Sequence, residues 1–272
     1  MRQIFPAAAE APEIESVAPG GPGTGQAASA AVTALARLYA YPSVAAHATP
    51  WVRANMIASV DGAAALDGRS GGLSGDADRL VFSVLRSLAD VIVVGAGTAR
   101  AEKYRLADQG RIWAELRKGQ PPAPPIAVIT RELDLDLDGP LLAGPAHQAR
   151  TILLTTQAAP AARRAAAADR ADVILAGRDS VTPAAAVDAL AARGHRKILV
   201  EGGPNLLKQI TEAGLLDELC MTFSPVLEGG RAGRILAPPP AAAATGGEVW
   251  LTLAHVLEDS GSLLCRYLRE PG

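Results

Sequence analysis

The 272-residue chain predicts an α/β domain: a mixed, mostly parallel central sheet layered between helices, with antiparallel strands at its C-terminal end. Three observations carry this. Short, wholly apolar runs rich in β-branched residues, such as DVIVVG at 90–95, suit strands buried on both faces. From residue 51 to residue 213 these runs alternate with segments whose apolar residues recur at helical spacing. The chain then finishes in three longer β-like segments, 216–224, 248–256 and 262–269, without intervening helices.

Residues 1–28 hold Ala, Pro and Gly but almost no large apolar groups, so they are expected to form a disordered tail. Residues 29–50 are read as a helix and linker, with Val32, Leu35, Leu38 and Tyr39 on one helical face and Pro42 as the stop. The main domain is expected over 51–270. Its first strand lies within 51–63 and turns at Asp61-Gly62. Asp76 is expected to cap a helix over 77–88, whose apolar face is Leu80, Val81, Val84, Leu85 and Leu88. Further strands are expected at 126–130, 151–155, 172–175 and 197–201, and helices at 160–169, 182–193 and 204–213. Two proline-rich stretches, 103–125 and 225–247, read as loops.

Composition narrows the function. A formal net charge of -2 with dispersed Lys and Arg gives no field to attract nucleic acid or an anionic membrane. No run approaches the roughly 18 apolar residues of a membrane span. The N-terminal stretch carries Glu10, Glu13 and Glu15 and is broken by Pro6, Pro12 and Pro19, unlike a secretory signal, so a cytoplasmic location is expected. Cys220 and Cys265 read as buried thiols in a reducing compartment. The four histidines have no H-x-E context and there is no P-C-x-x-C, so no metal site is expected and the zinc deaminase signature is missing.

Three segments can carry chemistry. In KILVEGGPNLLKQI (197–210) a strand ends at Glu201, Gly202 and Gly203 follow, and Pro204 opens a helix. The free N–H groups of such a turn suit a pyrophosphate, although a ligand-free strand-to-helix connection has the same sequence. In DVIVVGAGTARAE (90–102), Gly95 and Gly97 mimic a dinucleotide fingerprint, but Arg100 stands where G-x-G-x-x-G needs a small residue. That excludes a Rossmann site while leaving close approach of a ligand at Gly95–Gly97, with Thr98 as a hydrogen-bond donor. NMIASVDG (55–62) could deliver Asn55, Ser59 and Asp61 to a pocket, or could simply form a hairpin turn.

Taken in order, these segments resemble the reductase domain of the riboflavin-pathway deaminase-reductase family. The family's S-L-D-G strand, arginine-bearing helix, D-A-I-L-V-G-x-x-T segment and E-G-G-P turn appear as Ser59–Gly62, Arg86, Val91–Thr98 and Glu201–Pro204. LLDELCMTFSPVLEGG at 215–230 is similar to a later family motif. The resemblance implies a dihydrofolate-reductase-like three-layer fold, NADPH as cofactor, a small heterocyclic substrate and a homodimer. It implies cofactor contacts from Ala58, Gly95, Gly97, Thr98, Glu102, Thr130, Thr155, Gly202, Gly203, Pro204, Asn205 and Leu206. Arg131 is added on charge alone as a partner for a 2′-phosphate. Asn55, Ser70 and Arg86 would face the substrate, and Asp61 and Glu201 are the candidate proton sources. The chain departs from the family at Asn55, where lysine is usual, and at Glu102–Leu106, where D-D-P-x-L is usual. The implied reaction is reduction of 5-amino-6-(5-phosphoribosylamino)uracil by a reductase without its deaminase domain. A dihydrofolate or pterin reductase and a non-catalytic nucleotide-binding module stay open as alternatives.

Overall fold

The computed structural model describes residues 1–6, 26–43, 49–106, 111–144, 149–238 and 248–270. Among these residues ten strands form one sheet: β1 (Arg2–Phe5), β2 (Trp51–Ser59), β3 (Val91–Gly95), β4 (Ile126–Ile129), β5 (Ile152–Thr155), β6 (Asp172–Leu175), β7 (Lys197–Val200), β8 (Glu218–Ser224), β9 (Leu251–Asp259) and β10 (Ser262–Arg269). Their spatial order is β1-β9-β10-β8-β2-β7-β3-β4-β5-β6. The seven strands from β8 to β6 run parallel. β10, β9 and β1 add on antiparallel to their neighbours. The expectation of a mixed sheet holds, with one refinement: β8 joins the parallel set beside β2.

Strand alternation sorts the core into two layers. Ile92 and Val94 of β3 enter one apolar cluster with Leu85 and Ile126, while Val91 and Val93 enter the other with Leu154 and Leu206. Helices α1 (Gln26–Leu38), α2 (Asp76–Leu88) and α4 (Arg111–Leu116) cover the first face. Helices α6 (Pro183–Ala191) and α7 (Pro204–Glu212) cover the second. The remaining helices are α3 (Ala96–Ala101) and α5 (Ala161–Ala168). The arrangement is helix, sheet, helix, as predicted.

Some local expectations are corrected. Residues 2–5 are not a tail: they pair with β9 as an edge strand, and residues 7–25 of the expected tail lie outside the described residues. Gly75, not Asp76, occupies the N-cap of α2, and the Asp76 carboxylate instead takes an ion pair from Arg79 at 2.6 Å. The segment 103–125 is not wholly loop, because α4 lies within it.

A buried ionic cluster ties the N-terminal segment to the antiparallel strands. Glu218 of β8 receives Arg266 Nε at 2.8 Å, Arg53 Nη2 at 3.0 Å and Trp51 Nε1 at 3.0 Å. Arg53 also donates to the Tyr39 carbonyl and lies 3.8 Å from the centre of the Tyr41 ring, and Arg266 donates to the carbonyls of Leu38 and Ala40. His255 packs edge-on against Tyr39. Burial favours neutral Glu218, but the two guanidinium charges outweigh it and hold the carboxyl below its ordinary range.

Candidate active site

β7 lies between β2 and β3, and the site forms where these strands end. The turn after β7 is stitched to β3: Glu201 N donates to the Val93 carbonyl at 3.0 Å, and Gly95 N to the Gly202 carbonyl at 3.2 Å. Gly202 has φ +101, a conformation that favours glycine, and the Gly202–Gly203 peptide is cis. A Cβ on Gly203 would collide with Thr98 Oγ1, whereas the space beside Gly95 and Gly97 is open. Gly203 is the N-cap of α7 and provides no side-chain acceptor, and Pro204 needs none. The amides of Asn205 and Leu206 therefore have no partner within the helix. Leu206 turns its side chain into the core. Side-chain-free backbone and unpartnered amides fit the diphosphate of a dinucleotide.

A cavity of about 550 Å³ opens beside this cradle and shares Thr98 and Glu201 with it. Helix α2 forms one wall, pointing Asp78, Phe82 and Arg86 inward at i, i+4 and i+8, and Asn55 and Met56 line it from β2. Arg86 grips Glu201 with two bonds, Nε to Oε1 at 2.7 Å and Nη2 to Oε2 at 2.6 Å. Tyr104 donates to Glu201 Oε2 at 2.9 Å. Burial and the Glu201 charge push the Tyr104 hydroxyl well above its ordinary range, so it serves as a donor. The Arg86 guanidinium also lies over the Phe82 ring at 4.3 Å. On the opposite wall Glu102 Oε1 accepts from Ser70 N and Ser70 Oγ at 2.9 and 3.0 Å. Lys103, Arg105 and Arg79 add positive charge to the lining.

Most of the expected site residues converge here, and several assignments change. Asn55, Ser70, Arg86, Thr98, Glu102 and Glu201 line the cavity, with Gly95, Gly97 and Gly202–Leu206 beside it. Asp61 is not a proton source in this cavity. It lines a second hollow of about 470 Å³ and accepts from Ser59 Oγ and from the amides of Glu228 and Gly229. These bonds, the Ser59 hydroxyl foremost, hold its carboxyl down at about 2. Both carboxylate oxygens of Glu201 already accept hydrogen bonds, Oε1 from Arg86 and Oε2 from Arg86 and Tyr104. Ala58 is buried and lines the second hollow. Thr155 is fully buried, its hydroxyl given to the Arg131 carbonyl at 3.2 Å, so it shapes the turn after β4 and offers a ligand no side-chain bond. Thr130 is buried beside it, and Arg131 is exposed and paired with Glu132. Sequence reasoning missed Asp78, Phe82 and Tyr104. The one signal for Tyr104 was the departure from the family pattern at Glu102–Leu106. Among the described residues no cluster of His, Cys, Asp or Glu could hold a metal ion.

Comparison with known proteins places this geometry. The RibD C-terminal domain matches residues 50–264. The chain belongs to that family. A 2,5-diamino-6-ribosylamino-4(3H)-pyrimidinone 5′-phosphate reductase of Archaeoglobus fulgidus is 29% identical over 185 residues, covering 67% of this chain and 83% of that one. An enzyme of the same name from Methanothermobacter thermautotrophicus is 28% identical, covering 69% and 83%. The crystal structure of a pyrimidine reductase-like protein from Corynebacterium diphtheriae superposes with a TM-score of 0.76 at 27% identity, covering 88% of this chain and 99% of that one.

Proposed function

We propose that this protein is an NADPH-dependent reductase of riboflavin biosynthesis acting on a 6-ribosylamino-pyrimidine 5′-phosphate. The family resemblance implies the 5-amino-uracil form, whereas the archaeal relatives are named for the 2,5-diamino-pyrimidinone form. One observation carries the reading: a cavity with Arg86 and Asn55 in its lining opens directly onto the glycine-lined cradle at Gly95–Thr98 and Gly202–Leu206.

The cradle at Gly95–Thr98 and Gly202–Leu206 would hold a reduced nicotinamide dinucleotide, which would supply the hydride that reduces a C=N bond at the ring-opened ribose carbon to C–N. The nitrogen takes one proton, which comes from water at the cavity mouth because Asp61 and Glu201 are engaged as acceptors. Arg86 is held rigid by Glu201 through Nε and Nη2 and presents its guanidinium at the cavity wall to a substrate oxygen. Lys103 and Arg105 supply the charge that a phosphate needs. Arg131, exposed at the end of β4, is the proposed partner of the cofactor 2′-phosphate. The protein acts in the cytoplasm as a homodimer that pairs through the second hollow, where Trp250 is 75% and Val60 62% exposed. No helix among the described residues is long and apolar enough to cross a membrane.

The test follows NADPH absorbance with each pyrimidine phosphate and with dihydrofolate. Consumption with a pyrimidine phosphate is the expected result. Consumption with dihydrofolate alone would replace the reading with a pterin reductase, and cofactor binding without consumption would leave a nucleotide-binding module.

A further inference from the structure

Of the three carboxyl groups in the cavity lining, Glu201 alone is bonded to a cationic side chain; Glu102 and Asp78 accept from uncharged donors, and Asp78 is the more deeply buried of these two. Glu201 is bound by Arg86, and Glu102 by Ser70 at the cavity's other wall. Asp78 sits in the first turn of α2, only 8% exposed, and accepts from the Ser74 hydroxyl and the Thr222 hydroxyl. Thr222 lies on β8 opposite Ile57 of β2, so Asp78 stands over the β2–β8 junction. Arg86 is eight residues along the same helix, about 12 Å away by helical rise. That spacing separates the two ends of an elongated ligand. Both hydroxyls act as donors, and a carboxylate has about four acceptor sites, so Asp78 keeps room for two more N–H groups.

The two pyrimidine forms differ at the position such a carboxylate would read. In the 2,5-diamino-4(3H)-pyrimidinone, N3–H and the 2-amino group are adjacent donors on one edge and match two carboxylate oxygens. In the uracil form the 2-amino group is replaced by C2=O, an acceptor, which would face a carboxylate oxygen with no proton between them. We infer that Asp78 is the specificity-determining residue of this site and selects the 2-amino pyrimidine by accepting from its N3–H and 2-amino groups. The inference rests on the reductase reading above and narrows its substrate. Burial is the largest influence on the Asp78 carboxyl and raises it from its ordinary value, with Ser74, Thr222 and the neighbouring Arg79 acting the other way. A pair of ligand donors adds to the second group and favours the charged form.

The experiment measures kcat/KM for both pyrimidine phosphates by NADPH oxidation, with the wild-type protein and with Asp78→Asn. The wild type should prefer the 2-amino form by at least about a hundredfold, since a site built around a hydrogen bond strongly rejects the analogue that cannot make it. Asparagine offers one donor and one acceptor, the complement of C2=O and N3–H. The ratio should therefore fall by at least about tenfold in the variant, even if both rates drop. Loss of folding alone scales both substrates together and leaves the ratio unmoved. A wild type that treats the two forms within about threefold, or prefers the uracil, overturns the inference whether or not the variant folds, as does an unchanged ratio in Asp78→Asn. Oxidation with neither pyrimidine would remove the reductase reading itself and is distinct from oxidation with both.

Discussion

Glu218 and Glu201 are both buried carboxylates gripped by arginine, and what surrounds each sets its use. Glu218 is closed in: Arg53, Arg266 and Trp51 donate to it, and the carbonyls of Leu38, Tyr39 and Ala40 take up further donors of the two arginines. Glu201 is bound from the protein side by Arg86 and Tyr104 and forms part of the wall of an open cavity. The first cluster fastens the segment after α1 to β2, β8 and β10. The second holds a guanidinium in the wall of an open cavity. A charged pair buried on all sides acts as a fastener, whereas the same pair at a cavity wall is a pre-set binding group.

Removing one partner from each cluster should separate these roles. Glu218→Ala leaves two guanidinium groups without their carboxylate, and the cost should be about 3–5 kcal/mol in urea unfolding. The Michaelis constant of whatever enzyme remains folded should not change; a changed value would merge the two regions. The pH dependence gives a second handle on the fastener. Burial, helped by the Arg266 charge, lowers His255 to about 4 from an ordinary 6.5. Its folded value is depressed, so the unfolded chain binds the proton more tightly. Stability from this group is present above pH 6.5 and declines as pH falls toward 4, by up to about 3 kcal/mol. His255→Phe should flatten the unfolding free energy across that window, and an unchanged slope would remove the histidine from the account.

Arg86→Ala tests the open pair. It should cost about 2 kcal/mol in kcat/KM for a phosphorylated pyrimidine, roughly thirtyfold. An unaltered Michaelis constant would remove its binding role. The smallest expected change is at the cradle. Gly203→Val would press against Thr98, and the dissociation constant for NADPH should rise at least about tenfold, or 1.4 kcal/mol. Circular dichroism on the same sample checks that the variant is folded.

The parallel half of the sheet was legible because its strands announce themselves. DVIVVG and KILVE are apolar, β-branched and followed by glycines, and β3 and β7 lie where those runs fall. β1 was not legible, since RQIF has no periodicity of its own and becomes a strand only when β9 is beside it. The charged core was hidden for a related reason. Arg53, Asp78 and Glu218 look like ordinary surface residues until strands distant in sequence bring their partners to them. Asp61 shows the opposite failure. An Asp-Gly turn near polar residues reads the same whether its carboxylate faces a ligand or fastens the loop at 228–229, and here it fastens the loop. The resemblance singled out Arg86 and Glu201, which line one cavity, but gave no hint that they bind each other.

The order of the strands carries a consequence for biosynthesis. β7 fills the gap between β2 and β3 although it follows them in the chain by more than a hundred residues. As the polypeptide leaves the ribosome, the first strands have no shared neighbour until residue 197 and beyond have emerged. Until then both halves of the ligand groove exist only as separate hydrophobic edges in need of protection. Binding competence then arrives with a single late insertion, and a nascent fragment ending earlier should retain no partial affinity.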